Sequence, residues 1–255
     1  MDYTIAALDR ALALLETVGE HPGIGLTELA RRTGTTKTLA FRVASTLERR
    51  GYILKEPVSR TYTLGPMPLY LGERMERSSL LLQLAGPALD RLAEETQENV
   101  SLVVRDGLRS VCIANRQSPQ PIRLYAELGR QGPLHVGGGP KLLLAFAPPE
   151  VQRAVLAGPL PAFTPETITD PARLAGLLKR IRGRDYHVSR GDLDAGAFSV
   201  AAPVRDRGGA VIASVSAAGP QSRLSREAEQ RTIKLVRATG AALSGQLGWQ
   251  APAGD

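Results

Sequence analysis

Cysteine, histidine and aromatic side chains are scarce in this chain of 255 residues. The single cysteine, Cys112, excludes an intramolecular disulfide and a cysteine-based zinc site, and its apolar neighbours Val111 and Ile113 indicate a small buried side chain. No run approaches the roughly 18 apolar residues that a membrane span requires, and the N-terminus lacks the pattern of a secretory signal. We therefore expect a protein of the reducing cytoplasm.

Residues that could carry catalysis or bind a metal ion are few and scattered. The histidines, His21, His135 and His187, lack the paired spacing of metal ligands, and no Gly-x-Ser-x-Gly motif supplies a nucleophile. His135 is interpreted as a hydrogen-bonded structural residue. Asp192 and Asp194 could act as paired carboxylates, although aspartates in loops usually bond to their own backbone. We expect no enzyme activity, no metal and no cofactor.

The composition is that of an ordinary globular protein with an excess of positive charge. Hydrophobic residues make up 43% of the chain and charged residues 22%, which excludes disordered, collagen-like and low-complexity classes. The 32 lysines and arginines exceed the 25 acidic residues and give a formal net charge of +7. This excess indicates a polyanionic partner, but it does not distinguish nucleic acid from a membrane surface or from mere solubility.

Three helices are predicted in the N-terminal part of the chain. Apolar residues recur at helical spacing over residues 5–18. Thr27 is predicted to cap a short second helix that stops at Gly34, and one of the two following threonines to cap a third helix that stops at Gly51. With a tight turn between the last two helices, the pattern is typical of a helix-turn-helix. The apolar residues expected to face the core are Ile5, Leu8, Leu12 and Leu15 in the first helix, and Leu39, Val43 and Leu47 in the third.

Strand-like segments follow the third helix. Residues 52–54 and 60–64 flank a polar turn and add a β-wing to the helix-turn-helix. We place a domain boundary near Ser78, after a helical stretch that begins at Leu69. Beyond it the α+β fold class is predicted, with a mostly antiparallel sheet. The predicted strands are 100–104, 110–114, 122–127, 200–204 and 211–217, and the predicted helices are 80–95, 141–146, 150–157, 172–182 and 226–247.

The face of the third helix opposite its apolar residues is polar and basic, which indicates binding in the major groove of DNA. Lys37 and the hydroxyl residues suit phosphates or base edges, Arg42 can pair bidentately with guanine, and Phe41 can contact a thymine methyl. The predicted DNA-binding residues are Thr35, Thr36, Lys37, Thr38, Phe41, Arg42, Ser45 and Arg60.

Some basic residues of this region have an alternative interpretation. Arg49 and Arg50 lie where cations stabilise the C-terminal end of a helix dipole. Arg60 in the wing is placed near phosphate or the minor groove, but a solvated charge in a hairpin is an equally ordinary role.

The most unusual local sequence lies within residues 132–142, where three consecutive glycines precede Pro140 at the expected start of a helix. Unhindered backbone N–H groups at a helix N-terminus form an anion-binding arrangement, and a small carboxylate would fit there. The spacing and the missing Lys-Ser/Thr ending exclude a P-loop. A glycine turn without a ligand is the alternative.

Small and hydroxyl-bearing residues also occur in the predicted strands of the second domain. Ser214, Ser216 and Ala218 share one face of a strand, and Ser199 leads into another. Such residues indicate either close packing of a helix or a polar cavity, with packing the default for each residue taken singly.

In these features the chain resembles the IclR family of bacterial transcriptional regulators, from about Ala7 to Trp249. The residues that carry the resemblance in the first domain are 8–12, 26–30, 36–42, 47–52 and 62–65. Those of the second domain are Gly129, 133–135, Lys141, 201–206, 219–220 and 223–224. Where the family usually has Gly-Tyr, this chain has Asp185-Tyr186, and aspartate tolerates the left-handed conformation of that turn.

The resemblance implies a division of the chain into a winged helix-turn-helix DNA-binding domain at 1–65, a linker helix at 66–78, a GAF-like effector-binding and oligomerisation domain at 79–249, and a tail at 250–255. It implies dimers or tetramers on palindromic operators, and a small metabolite, such as an organic or aromatic acid, as effector. By matching motifs, the implied effector-binding residues are Leu124, Leu134, Gly138, Gly139, Ser189, Ser199, Ser216 and Ala218.

Our first hypothesis is therefore a sequence-specific, ligand-responsive regulator of transcription, expected to be the repressor of a catabolic operon. An enzyme that acts on a small carboxylic acid and a nonspecific architectural DNA-binding protein are the alternatives. The lack of an obvious arginine in the proposed pocket leaves the charge of the effector open.

Overall fold

A computed structural model describes residues 4–124 and 127–250, so the predicted tail lies outside it apart from Gln250. The chain forms two compact units, of which the first ends at Ser79 and the second begins at Leu80. No helix in the described part is long and apolar enough to cross a membrane.

The first unit is a winged helix-turn-helix. Its antiparallel sheet has the strand order β1-β3-β2, and the hairpin of β2 and β3 forms the wing. The elements are α1 (Ala6–Glu20), β1 (Ile24–Gly25), α2 (Leu26–Arg32), α3 (Lys37–Arg49), β2 (Ile53–Lys55), β3 (Thr61–Leu64) and α4 (Pro66–Ser78).

Two predictions about the helix starts had different outcomes. Thr36 does cap α3, because its hydroxyl oxygen accepts a hydrogen bond of 3.2 Å from the N–H of Leu39. The predicted cap at Thr27 is wrong. Gly25 occupies the N-cap of α2 without a side-chain bond, since the chain enters this helix directly from β1.

The predicted apolar faces of α1 and α3 are displaced from the faces that the structure buries. Leu14 and Val18 are the buried residues of α1, whereas Ile5, Leu8 and Leu12 are about half exposed or more. In α3 the fully buried residues are Ala40 and Ala44, while Leu39, Val43 and Leu47 are only half-buried. Alanines let the neighbouring helices approach closely, so the centre of the contact lies one residue away from the leucine stripe.

The second unit is built on a six-stranded antiparallel sheet with the strand order β6-β5-β4-β9-β8-β7. Its strands are β4 (Asn99–Asp106), β5 (Arg109–Arg116), β6 (Gln131–Pro133), β7 (His187–Arg190), β8 (Ala197–Arg205) and β9 (Val211–Pro220). Its helices are α5 (Leu80–Thr96), α6 (Gly138–Phe146), α7 (Pro149–Ala157), α8 (Pro171–Arg184) and α9 (Arg226–Gln246). The predicted α+β class with a mostly antiparallel sheet is confirmed.

Three strand assignments differ from the prediction. Residues 122–124 and Glu127 are not in a strand, and positions 125 and 126 of the predicted strand lie outside the described residues. The edge strands β6 and β7 were missed because they are only three and four residues long, too short for a recognisable period. The turn at Asp185 was predicted correctly, since this residue ends α8 in the left-handed conformation with φ 59°.

The two faces of the sheet differ in chemistry, which decides where a ligand could lie. One face is apolar and packs against α5 and α9, with Val100, Leu102 and Val215 fully buried. The other face lies under α6 and carries short side chains such as Ser216 and Ala201. The alternation along each strand therefore separates a hydrophobic core from a face with hydroxyl groups.

Candidate functional site

The exposed face of α3 carries most of the predicted DNA-binding residues. Thr36, Lys37, Thr38, Arg42 and Ser45 are all exposed. They project from the helix because Ala40 and Ala44 hold its opposite side against the core. Thus α3 presents a continuous polar and basic surface.

The cations of α2 and α3 differ in their partners. Both Arg31 and Arg32 form ion pairs with Glu28, and the hydrogen bonds from Arg31 in particular lower the pKa of Glu28 to about 2. In contrast, within the described part of the chain no carboxylate lies within ion-pair distance of Lys37 or Arg42. The charges that remain available to an anionic partner are therefore those on α3.

The remaining predicted DNA-binding residues lie beside this surface. Phe41 is 49% exposed, and the ammonium group of Lys55 in the wing lies 5.9 Å from the centre of its ring. Arg60 is exposed in the turn of the wing and adopts φ 58°. Thr35 is half-buried, and its hydroxyl is hydrogen-bonded to that of Thr33 at 3.0 Å, so it shapes the turn before α3.

A cavity of about 230 Å³ lies in the second unit, between the hydroxyl-bearing face of the sheet and the N-terminus of α6. It is bounded on one side by the loop 191–194. The structure places all the predicted effector-binding residues at this cavity except Leu134, which is 1% exposed and packs in the apolar core under α6 and α8. The predicted residues that line it are Leu124, Gly138, Gly139, Ser189, Ser199, Ser216 and Ala218.

The glycines at the start of α6 are required by the close approach of this helix to the sheet. A Cβ atom on Gly138 would lie 2.6 Å from Oγ of Ser199, and one on Gly139 would lie 2.7 Å from Oγ of Ser214. Both positions therefore exclude any side chain. The helix end reaches the cavity, and N–H groups in the first turn of a helix have no partner inside the helix.

A buried ion pair, which the sequence did not reveal, supports this helix end. Lys141 on α6 and Asp192 are 3% and 5% exposed, and they form a salt bridge. The second carboxylate interactions come from the N–H of Gly137, at 3.1 Å, and from the hydroxyl of Ser189. Asp192 thus joins the cavity loop to the start of α6, and its carboxylate already satisfies one N–H group of the predicted anion site.

The environment of Asp192 keeps its carboxyl group ionised. Burial raises its pKa, but the charge of Lys141 and the hydrogen bonds from Lys141, Ser189 and Gly137 outweigh burial and hold the pKa below its ordinary value. Because the folded-state pKa is lowered, this carboxylate adds stability above the unfolded-state pKa, and the contribution is lost as the pH falls through the lowered value.

We therefore expect the free energy of unfolding to decrease as the pH falls below 3.8, the ordinary pKa of aspartate. Urea unfolding between pH 3 and pH 7, approximate limits chosen to bracket that value, measures the decrease. Asp192→Asn is expected to be less stable at neutral pH and to show a smaller decrease, and Asp194→Asn, at an exposed position in the same loop, to behave like the wild type. An unchanged acid dependence in Asp192→Asn would contradict the assignment.

The described histidines have structural environments. His135 is buried, and its Nε2 lies 3.0 Å from the carbonyl oxygen of Pro161, as the sequence predicted. His187 is buried beside Lys141, and burial, with the charge of Lys141, lowers its pKa to about 3. Neither ring is placed to accept a proton near neutral pH.

Several residues that line the cavity were not predicted. Asn99 and Ser101 on β4 and Ser110 on β5 contribute polar groups, and Arg130 supplies a cation at the exposed rim. Cys112 is buried, as expected, but it also lines the cavity. The only signal that could have found the β4 residues is the alternation of Asn99, Ser101 and Val103 with apolar neighbours, which places them on the face under α6.

The two units together define a class of protein. A winged helix-turn-helix with an unpaired basic helix, followed by a domain with a cavity for a small molecule, is the architecture of a ligand-responsive DNA-binding regulator. Residues 7–57 match the IclR helix-turn-helix domain, and residues 74–245 match the C-terminal domain of the bacterial transcriptional regulator IclR. The chain belongs to the IclR family of transcriptional regulators and is not an enzyme.

Known regulators are similar along most of the chain. The HTH-type transcriptional regulator BhcR of Paracoccus denitrificans is 34% identical over 222 residues, which cover 87% of this chain and 80% of BhcR. KdgR of Escherichia coli is 28% identical over 247 residues, covering 96% and 94% of the two chains.

Solved structures show the same architecture. An IclR transcriptional regulator from Alicyclobacillus acidocaldarius matches with a TM-score of 0.88 at 30% identity, over 96% of this chain and all of the other. An IclR homologue from Microbacterium hydrocarbonoxydans, solved as a complex with 4-hydroxybenzoate, matches with a TM-score of 0.82 at 27% identity, over 94% and 98% of the two chains.

Proposed function

We propose that this protein is a repressor of a catabolic operon in the bacterial cytoplasm and that a small organic or aromatic acid releases it from its operator. The observation that carries the proposal is the cavity at the N-terminus of α6, which combines a helix end suited to a carboxylate with hydroxyl groups on the sheet. Small acids supply the matching groups.

The proposed operator contacts come from α3 and the wing. The free cations of Lys37 and Arg42 support this assignment, because phosphate and guanine contacts both require a positive charge without an internal partner. Thr36, Thr38 and Ser45 supply hydroxyl groups to the same surface. Thr35, whose hydroxyl is engaged with Thr33, is assigned to the turn more than to the DNA.

The proposed effector class has two lines of support. The cavity volume of about 230 Å³ suits a molecule of a few to about a dozen heavy atoms. The homologue from Microbacterium hydrocarbonoxydans, whose fold matches over 94% of this chain, is a complex with 4-hydroxybenzoate, an acid of this size. Arg130 at the rim also attracts an acid as it approaches.

The regulatory step requires a change in the affinity for DNA. A ligand can cause it only by favouring one arrangement of the DNA-binding and effector domains, and we assign the coupling to the helix at 66–78. The IclR resemblance supports a homodimer or homotetramer on a palindromic operator, because each subunit would then place one α3 on each half-site.

Arg42→Ala is expected to weaken specific operator binding by about 1–3 kcal/mol, because it removes a bidentate contact to guanine. Fluorescence anisotropy with labelled operator and with an unrelated duplex measures the change. Arg173→Ala, which removes an exposed arginine from α8 in the other unit, is the matched control and is expected to bind like the wild type. An equal loss on both duplexes would contradict a base contact and would indicate a phosphate contact.

The proposed function is tested by the same assay with duplex from the region upstream of the gene, in the presence of competitor DNA. We expect tight specific binding that one or more aliphatic or aromatic acids release, and derepression of a reporter by the same acid. Binding that competitor DNA abolishes would indicate a nonspecific architectural protein. Specific binding that no acid changes would contradict the effector assignment but not the DNA-binding function.

A further inference from the structure

Two serines on neighbouring strands face the cavity as a pair. Ser101 on β4 lies directly opposite Ser216 on β9, and their hydroxyl oxygens are 2.9 Å apart. Each hydroxyl has one hydrogen and two acceptor positions, so the bond between them uses one hydrogen and leaves the other available. Within the described residues neither hydroxyl has another hydrogen-bond partner.

The other polar groups of the cavity are already engaged. Ser110 donates to the carbonyl oxygen of Gly132 at 3.1 Å, and Ser189 donates to Asp192. The side chain of Asn99 donates to one backbone carbonyl and accepts from one backbone N–H. The hydrogen-bonding capacity that remains for a ligand is therefore concentrated in the serine pair and at the N-terminus of α6.

These two places are well separated. Ser199, whose hydroxyl adjoins Gly138 at the helix end, lies on β8, and β9 separates that strand from β4. At the usual distance between strands, Ser101 is about 10 Å across the sheet from Ser199. Apolar side chains, including those of Val103, Val136 and Phe163, also line the cavity. A ligand that fills it meets polar groups at two ends and an apolar wall.

We infer that Ser101 and Ser216 form a second anchor for the effector, so that the preferred acid carries a hydroxyl or oxo group at the end remote from its carboxylate. This inference rests on the proposed function, which supplies the carboxylate at α6. The free hydrogen of the serine pair donates to the remote oxygen, and a serine oxygen accepts from a remote hydroxyl. An acid without such a group leaves the pair without a partner in a desolvated site, which lowers its affinity.

The test compares matched acids by isothermal titration calorimetry on the full-length protein. The pairs are 4-hydroxybenzoate with benzoate and 5-hydroxypentanoate with pentanoate. The wild type is expected to bind the hydroxylated member of at least one pair about 3- to 10-fold more tightly, the contribution of one neutral hydrogen bond. Ser101→Ala is expected to remove this preference by weakening only the hydroxylated acid, because the unsubstituted acid makes no bond to Ser101.

Two controls separate an anchor from a structural role. Ser110→Ala removes a hydroxyl that lines the same cavity but is engaged with Gly132, and it is expected to keep the preference. The double variant Ser101→Ala with Ser216→Ala is expected to bind unsubstituted acids as the wild type does. A preference that persists in the double variant, or equal binding of both members of each pair by the wild type, would overturn the inference and leave the proposed function intact. If no acid binds or releases the operator, the proposed effector class fails as well.

Discussion

Lys141→Met is expected to lower the free energy of unfolding by about 3–5 kcal/mol, because it leaves the carboxylate of Asp192 buried without its counter-charge. Lys141 and Asp192 are 3% and 5% exposed, so water cannot replace the missing ammonium group. Methionine has nearly the length of lysine, and the change therefore tests the charge more than the packing. Chemical unfolding followed by circular dichroism measures the effect.

The double variant Lys141→Met with Asp192→Leu distinguishes a lost charge from a lost shape. Removal of both charges is expected to recover part of the stability, since neither charge is then left unpaired. Lys179→Met, at an exposed lysine of α8, is the matched control and is expected to change stability by less than about 0.5 kcal/mol. A Lys141→Met protein as stable as this control would show that the buried pair contributes nothing to the fold.

Ser216→Leu is expected to abolish the response to the effector while specific DNA binding stays unchanged. Ser216 is 4% exposed and lines the cavity, so the larger side chain occupies the volume that the ligand requires. In the wild type, an effector is expected to change the dissociation constant for the operator by roughly 5- to 150-fold, the usual range of allosteric coupling. In Ser216→Leu the change is expected to disappear. Anisotropy titrations with and without the acid measure both quantities.

Ser216→Ala is the matched control for this prediction, because it enlarges the cavity at the same position. It is expected to retain release by an acid without a remote hydroxyl group, such as benzoate. If Ser216→Leu loses operator binding together with the ligand response, and its thermal unfolding shifts to lower temperature, the substitution acts through misfolding and the assignment of Ser216 to the effector cavity loses its support.

Local sequence signals predicted the parts of this protein that depend on neighbouring residues. The cap at Thr36, the left-handed turn at Asp185 and the length of α9 all follow from interactions within a few residues. The burial of α1 did not follow from its pattern. Leu8 and Leu12 match a helical stripe as well as Leu14 and Val18 do, and only the positions of α3 and β3 decide which of them is covered.

The candidate effector cavity was predicted in part for the same reason. The three glycines before Pro140 marked the end of α6 because they form an unusual local run. The partner of Lys141 gave no such signal, since an aspartate in a loop usually bonds to its own backbone. Asp192 lies 51 residues from Lys141 along the chain and becomes its partner only when the loop after β7 folds against α6.

By itself, the sequence determined the winged helix-turn-helix, the basic face of α3 and the α+β class of the second unit, because these depend on periodicity and charge over short stretches of chain. The tertiary structure alone decided the buried pair of Lys141 with Asp192 and the facing of Ser101 with Ser216, residues 115 positions apart. Their chemistry depends on the order and register of strands in the sheet, and register arises from pairing between distant segments that no local pattern encodes.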